Sequence, residues 1–240
     1  MTDRPAPSSA ARTQVRPVDA AGLVLLRGSP GRPEVLMGRR PKRASFLPDI
    51  YVFPGGRLDD GDRRPSGFPE RLDGALARQL AVGNRRRDSM PLLRAALRET
   101  FEETGLLLAA DAHVREACDA PAIWQAFAAL GRRPAFEKMD FVARAITPVS
   151  SPRRFNTRFF MADGGEMAGT LLGDGELEDL AWRPVERMWR MALVDVTEFV
   201  LREALQRWQA RTAIGSRPAP LFCYVNDTAR VRPEAHKRRA

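Results

Sequence analysis

Short apolar runs between turn signals predict the strands of this 240-residue chain. Residues 20–26 are small and apolar, and they end before a Ser-Pro-Gly turn at 29–31. Another run leads directly into a Pro-Gly-Gly turn at 54–56. The predicted strands are residues 20–26, 35–37, 51–53, 141–146, 157–161, 176–182 and 220–225. The last of them is expected at an edge of the sheet.

A helical period follows between residues 89 and 105. Ser89 suits an N-cap, Pro91 suits the first turn, and Gly105 suits a left-handed C-terminal cap. The positions that should face the core are Leu93, Ala96, Leu97, Thr100 and Thr104. Further helices are predicted at 69–87, at 117–130 with Ile123, Phe127 and Leu130 on one side, at 184–191, and at 198–209 with Thr197 as cap.

The helix at 89–105 carries three carboxylates on a different face. Glu99, Glu102 and Glu103 are spaced i, i+3 and i+4, so they are neighbours on the helix surface. A divalent magnesium or manganese ion takes oxygen ligands of this kind and relieves their repulsion. The alternative is an ordinary acidic face in solvent. Arg98, Gly105 and the upstream glycine pair favour the metal site.

From Arg98 to Leu106 the chain resembles the signature of the Nudix hydrolase family, G-x5-E-x7-R-E-U-x-E-E-x-G-U, in which U is a bulky apolar residue. Gly56 opens the first half of the signature, and Asp62 stands where the family has its first acid. Arg98 follows Asp62 by 36 residues, against eight in the family pattern, so the signature contains an insertion of 28 residues.

The resemblance implies an α/β/α sandwich with a mixed sheet, and it implies Mg²⁺ or Mn²⁺ as cofactor. It assigns the metal to Glu99, Glu102 and Glu103, with the Gly56 carbonyl as a further ligand. Arg98 would orient a carboxylate. Either Glu99 or Glu176, which precedes Trp182 in the family's later strand, would be the general base. For Glu176 the alternative is a polar edge of that strand.

Flanking segments and the insertion resemble the branch that contains the mammalian peroxisomal acyl-coenzyme A diphosphatase and its bacterial relatives. That branch implies coenzyme A or acyl-coenzyme A as substrate. Arg57, Arg154 and Arg158 are the candidates for binding substrate phosphates, because guanidinium pairs bidentately with phosphate oxygens, and the adjacent Arg153 suits the same role. The alternative is a strand of alternating basic and apolar residues that faces solvent. Phe155, Phe159 and Phe160 are assigned to the core, with stacking of one of them on adenine as the alternative. ADP-ribose or NADH is the alternative substrate, and a non-catalytic nucleotide-binding module is the alternative from another class.

Composition bounds the remaining questions. The net charge of +9 is almost wholly arginine, and no arginine run alternates with aromatics, which argues against nucleic acid as partner. No apolar segment is long enough for a bilayer. Cys118 and Cys223 form no C-x-x-C motif, which argues against a disulfide scaffold or a zinc site and is compatible with a reducing cytoplasm. The isolated His113 and His236 argue against a histidine-centred mechanism. We expect a disordered leader at 1–17, one Nudix domain at 18–232 with the insertion at 63–90, and a basic tail at 233–240. A homodimer is left open.

Overall fold

The computed structural model describes residues 15–81, 89–112 and 120–233. The strands are β1 (Val18–Ser29), β2 (Arg32–Arg39), β3 (Tyr51–Val52), β4 (Gly55–Arg57), β5 (Leu106–Asp111), β6 (Arg132–Pro134), β7 (Asp140–Ile146), β8 (Phe155–Asp163), β9 (Met167–Gly169), β10 (Glu178–Pro184), β11 (Pro220–Val225) and β12 (Thr228–Pro233). The α-helices are α1 (Gly74–Leu80), α2 (Ser89–Thr104), α3 (Ala122–Ala129), α4 (Val185–Met188) and α5 (Asp195–Gln209).

The main sheet is mixed, and its strand order is β10-β2-β1-β8-β7-β11-β12. The pairs β1–β8 and β7–β11 are parallel, whereas the other pairs of this sheet are antiparallel. Strand β4 joins β1, which brings the Gly55–Gly56 turn against the centre of the sheet. A second sheet has the order β6-β5-β9.

Helices cover both faces of the main sheet, as the burial along β1 shows. Leu23 and Leu25 belong to a core cluster that includes residues of α1, α2 and α3. Val24 and Leu26 belong to a second cluster, with residues of α4 and α5. Successive strand residues point to opposite faces, so a continuous apolar run is what a sheet between two helical layers requires. The predicted α/β/α sandwich with a mixed sheet is confirmed.

Several boundaries differ from the sequence prediction. Ser89 is the first residue of α2 rather than its cap, and its hydroxyl has no hydrogen-bond partner among the described residues. Helix α5 begins at Asp195, so Thr197 lies inside it and is buried. Leu130, which was predicted on the apolar side of the helix at 117–130, is 46% exposed. The errors at Ser89 and Thr197 share a cause, because Ser, Thr and Asp are common both at caps and in first turns.

Strand β11 is not the sheet edge that the sequence predicted. It pairs with β12 through a two-residue turn in which Asn226 and Asp227 both have positive φ, at 49° and 56°. Such a turn matches the right-handed twist of a hairpin. Strand β12 is exposed along its length, so the alternation of Ala229 and Val231 with Arg230 and Arg232 buries neither of its faces.

The insertion within the signature is partly helical. Asp73 caps α1 by accepting the N–H groups of Ala75 and Leu76, and the helix is shorter than the predicted 69–87. Residues 82–88 lie outside the described residues, as do 1–14 of the predicted leader, 234–240 of the predicted tail, His113, Cys118 and His236. None of the helices within the described ranges is long and apolar enough to cross a membrane.

Candidate active site

Helix α2 separates a core face from a carboxylate face. Thr100 and Thr104 are fully buried, and each hydroxyl donates to a backbone carbonyl one turn earlier. Gly105 then ends the helix with φ at 73°, as its predicted role as a left-handed cap requires. Glu99, Glu102 and Glu103 are therefore held on a rigid element that is anchored in the core.

Two of these carboxylates lie against the Gly55–Gly56 turn. The Gly55 N–H donates to Glu103 Oε2 at 3.0 Å. At Gly56 a Cβ atom would lie 2.3 Å from Glu99 Oε1, closer than any real contact. The absence of a side chain at Gly56 therefore makes the space in which the Glu99 carboxylate sits.

Arg98 lies among the carboxylates and uses all five of its N–H donors. Nε and Nη2 each donate to the Asp62 carboxylate at 3.0 Å, and Nη2 also donates to the Arg57 carbonyl at 3.1 Å. Nη1 donates to Glu99 at 3.0 Å and to Glu102 at 2.9 Å. Since guanidinium has five donors in a fixed plane, its orientation is completely determined. Asp62, only 2% exposed, thus contacts Arg98 across the whole insertion.

The surroundings of Glu99 and Glu103 disfavour the ionised form of both carboxylates, so their pKa values are raised. Burial raises the pKa of Glu99 to about 6, although Arg98 opposes the shift. Burial raises the pKa of Glu103 to about 8 against the Gly55 hydrogen bond, and the charges of Glu99, Glu176 and Asp174 add to the rise. Each ionised carboxylate here lacks enough compensating positive charge, which is the electrostatic condition that a divalent cation relieves.

The donor set fits a hard divalent ion. Within the described residues, no group of three or more His, Cys, Asp or Glu side chains is already arranged to hold a metal, because Glu99 and Glu102 point their oxygens at Arg98. Even so, the three glutamates of α2 supply only oxygen donors, which magnesium and manganese prefer. The space opened by Gly56 beside Glu99 also suits close approach of a ligand.

The loop before β10 brings two more acids near α2. Glu176 is exposed, and its N–H donates to Asp174 Oδ1 at 2.8 Å. Both charges act on Glu103. Glu178, the neighbouring acid, instead pairs with Arg39 at 3.1 Å. Sequence reasoning missed Asp174, whose only signal was its position two residues before Glu176.

A cavity of about 510 Å³ opens beside the Gly55–Gly56 turn, and residues of β1, β4, β7, β8, α5 and β11 line it. Its aromatic lining residues are Phe46, Phe53, Phe155, Phe159, Phe222 and Tyr224, and its arginines are Arg40, Arg57 and Arg153. Phe160 is core as predicted, whereas Phe155 and Phe159 are half-buried and line the cavity. The cavity could not be predicted locally, because it is assembled from segments far apart in the chain.

The three arginines assigned to substrate fall in different places. Arg57 lines the cavity. Arg154 donates to the carbonyls of Thr147 and Val15, at 3.3 and 2.8 Å. Arg158 is 1% exposed and donates to Asp19 at 2.7 Å, so its guanidinium is buried in an ion pair. The structure does not gather the three at one point, and Arg153 lines the cavity instead of its two neighbours.

Comparison with solved structures identifies the fold. A Nudix hydrolase from Alicyclobacillus acidocaldarius superposes with a TM-score of 0.63 at 27% identity, over 85% of this chain and 97% of that one. The chain has the Nudix hydrolase fold. A MutT protein from Bacillus halodurans aligns over 91% of this chain and 99% of its own, at 13% identity and a TM-score of 0.48. The Nudix resemblance drawn from the sequence is confirmed.

Comparison of sequences finds a relative whose substrate is named. The chicken (Gallus gallus) acyl-coenzyme A diphosphatase NUDT19 is 32% identical over 122 residues, which are 38% of this chain. The chain spans about a third of the length of that curated relative, 32%. No family model matches the chain. These comparisons show the Nudix hydrolase fold, and acyl-coenzyme A is named only for the chicken relative.

Proposed function

We propose that this Nudix protein is a metal-dependent hydrolase of a nucleoside diphosphate linked to another moiety, with coenzyme A or acyl-coenzyme A as substrate. One observation carries the proposal. Glu103 is buried and Glu99 is partly buried against the Gly55–Gly56 turn, where the aromatic cavity opens. A carboxylate cluster beside a cavity of this size suits a diphosphate whose organic portion needs a pocket.

In this proposal Glu99, Glu102 and Glu103 would hold Mg²⁺ or Mn²⁺, with the Gly56 carbonyl as an additional ligand. A bound divalent ion supplies charge that offsets the diphosphate and lowers the pKa of water. Arg98 fixes the direction of Glu99 and Glu102 through its two Nη1 hydrogen bonds. Glu99 or Glu176 accepts the proton of the attacking water.

The bonds balance as a simple hydrolysis. The water oxygen forms a bond to one phosphorus, and the bond from that phosphorus to the bridging oxygen breaks. The bridging oxygen leaves with the other phosphate, while the carboxylate keeps the proton until it is passed on. From coenzyme A the products are phosphopantetheine and adenosine bisphosphate.

One observation favours coenzyme A over other nucleotides, namely the partial similarity to the chicken acyl-coenzyme A diphosphatase. The cavity supports an adenine nucleotide in general, because Phe155 and Phe159 offer faces for an adenine ring while Arg40 and Arg153 offer charge to phosphate. The cysteines, which form no C-x-x-C motif, favour a cytoplasmic location for this activity.

Mass spectrometry of products tests the proposal. The purified chain is incubated with coenzyme A, an acyl-coenzyme A, ADP-ribose and NADH, with Mg²⁺ or Mn²⁺ and with chelator. Glu103→Gln removes a central carboxylate, and Glu186→Gln makes the same change at an exposed position of α4. We expect phosphopantetheine only with metal. Glu103→Gln should reduce its formation at least about 100-fold, because removing a group that stabilises developing charge has this order of effect.

The outcomes separate the alternatives. Full activity in Glu103→Gln would show that the metal assignment is wrong. Cleavage of ADP-ribose or NADH alone would retain the chemistry and reject coenzyme A. Binding of a nucleotide without cleavage of any substrate would favour a non-catalytic module.

A further inference from the structure

A chain of hydrogen bonds connects the insertion to the carboxylates of α2. Arg94 precedes Arg98 by one turn, so both side chains lie on the same helix face. Arg94 is 5% exposed. Its Nε donates to Glu70 Oε1 at 2.7 Å, and its Nη1 donates to the Asp62 carbonyl at 2.9 Å. Asp62 in turn orients Arg98.

Glu70 is itself held in place within the insertion. Its Oε1 also accepts the Ser66 N–H at 3.1 Å. The intervening Phe68 is buried, with its ring 6.3 Å from that of Trp124 and 6.0 Å from that of Phe127. Burial alone would raise the pKa of Glu70, but the hydrogen bonds from Arg94 and Ser66 lower it below its ordinary value. Glu70 is therefore an ionised group with a fixed position.

The geometry of Arg98 links the Glu70–Arg94 pair to the carboxylates of α2. Every N–H of Arg98 is occupied, so a shift of Asp62 must rotate the guanidinium or break one of its bonds. Rotation would move the Nη1 donors away from Glu99 and Glu102. The Asp62 backbone carbonyl is fixed by Arg94, and Arg94 is fixed by Glu70.

We infer that Glu70 and Arg94, neither of which is a fixed position of the Nudix signature, are positioning residues that set the direction of the metal-binding carboxylates through Asp62 and Arg98. The inference rests on the proposed function only in taking Glu99 and Glu102 as metal ligands. The insertion is then a structural support of the site rather than a passive loop.

A matched pair of variants tests the inference. Glu70→Gln removes one charge from a bidentate pair with a buried arginine. Glu137→Gln, in the turn after β6, does the same at Arg133 of β6, which is likewise 5% exposed. Manganese affinity of the metal-free protein is measured by titration calorimetry, beside kcat, KM and thermal unfolding of each variant.

We expect Glu70→Gln to weaken Mn²⁺ binding about 10-fold or more and to lower kcat with little change in KM, as loss of a residue supporting metal ligands does. Glu137→Gln should destabilise the fold comparably and keep Mn²⁺ affinity within about twofold, because only the first pair leads to the ligands. The inference would be overturned if folded Glu70→Gln bound Mn²⁺ with wild-type affinity. It would also be overturned if Glu137→Gln lost as much Mn²⁺ affinity as Glu70→Gln.

Arg94→Lys covers the case in which Glu70→Gln does not fold. Lysine retains the charge opposite Glu70 but cannot hold that carboxylate and the Asp62 carbonyl in one plane. It should weaken Mn²⁺ binding, and unchanged affinity would again overturn the inference. A wild-type protein that binds Mn²⁺ but cleaves nothing would reject the proposed function alone, since the affinities would still decide the positioning roles.

Discussion

Replacing Gly56 by alanine should lower the rate of hydrolysis while leaving the free energy of unfolding almost unchanged. The new Cβ would lie 2.3 Å from Glu99 Oε1 and 2.6 Å from Oε2, whereas ordinary contacts begin at 3.4 Å. The Glu99 carboxylate must therefore retreat by about 1 Å. A misplacement of about 1 Å in a reacting group can cost about 100-fold in rate, or about 2.7 kcal/mol of transition-state stabilisation.

The same substitution should leave the fold almost unchanged. The obstacle is the mobile end of a side chain, and Gly56 has no left-handed φ that alanine would resist. Alanine also restricts the unfolded chain, which offsets small losses in the native state. We expect the free energy of unfolding of Gly56→Ala to stay within about 1 kcal/mol of wild type.

The assay compares kcat/KM on the substrate found above with urea unfolding, for three glycine variants. Gly61→Ala is the matched control, because its Cβ would meet nothing within 4 Å. Gly55→Ala is the opposite control, because its φ is 155° and its Cβ would lie 2.6 Å from the Ala21 carbonyl oxygen. It should lose stability. Full activity in folded Gly56→Ala would refute the view that the position of Glu99 matters.

Two further predictions concern the cavity and the insertion. Arg153→Ala should raise KM for coenzyme A about 5-fold at unchanged kcat, since an exposed contact to phosphate contributes about 1 kcal/mol. The control is Arg187→Ala, which removes an exposed arginine of α4 and should leave KM unchanged. An unchanged KM in Arg153→Ala would show that Arg153 does not bind the substrate. The folded-state pKa of Glu70 is lowered, so its charge stabilises the fold above the ordinary pKa of 4.5, and this contribution is lost as pH falls below that value. Urea unfolding should therefore show a difference in the free energy of unfolding between wild type and Glu70→Gln at pH 7 that narrows as the pH falls below 4.5, and a difference that does not change with pH would contradict the pairing.

Local pattern was sufficient for most of the fold. The run at 20–26 predicted β1 because both faces of that strand are buried, and the period of α2 predicted its core face because packing follows the helical turn. Pattern failed where the element is short and buries neither face, as in β12. It also misplaced caps at Ser89 and Thr197, where polar residues suit several positions of a helix start.

The candidate site was only partly visible in the sequence. The three glutamates and the glycine turn follow from short motifs, whereas the Asp62–Arg98 contact joins residues on either side of the insertion. Arg94 had a local signal, since it lies one turn before Arg98, but its partner Glu70 had none. The places of Arg153 and Arg158 depended on the register of β1 against β8, which no single segment encodes.

The insertion within the signature also shows how little chain length matters to an assembled site. Lengthening the connection from eight residues to the 36 that separate Asp62 from Arg98 adds about 1.3 kcal/mol of loop-closure entropy. One buried, bidentate ion pair such as Glu70–Arg94 is strong enough to offset an increment of that size. New segments can therefore be inserted into such a motif during evolution without separating its functional side chains in space. A search that matches the arrangement of side chains in space will find relatives that a search by sequence spacing passes over.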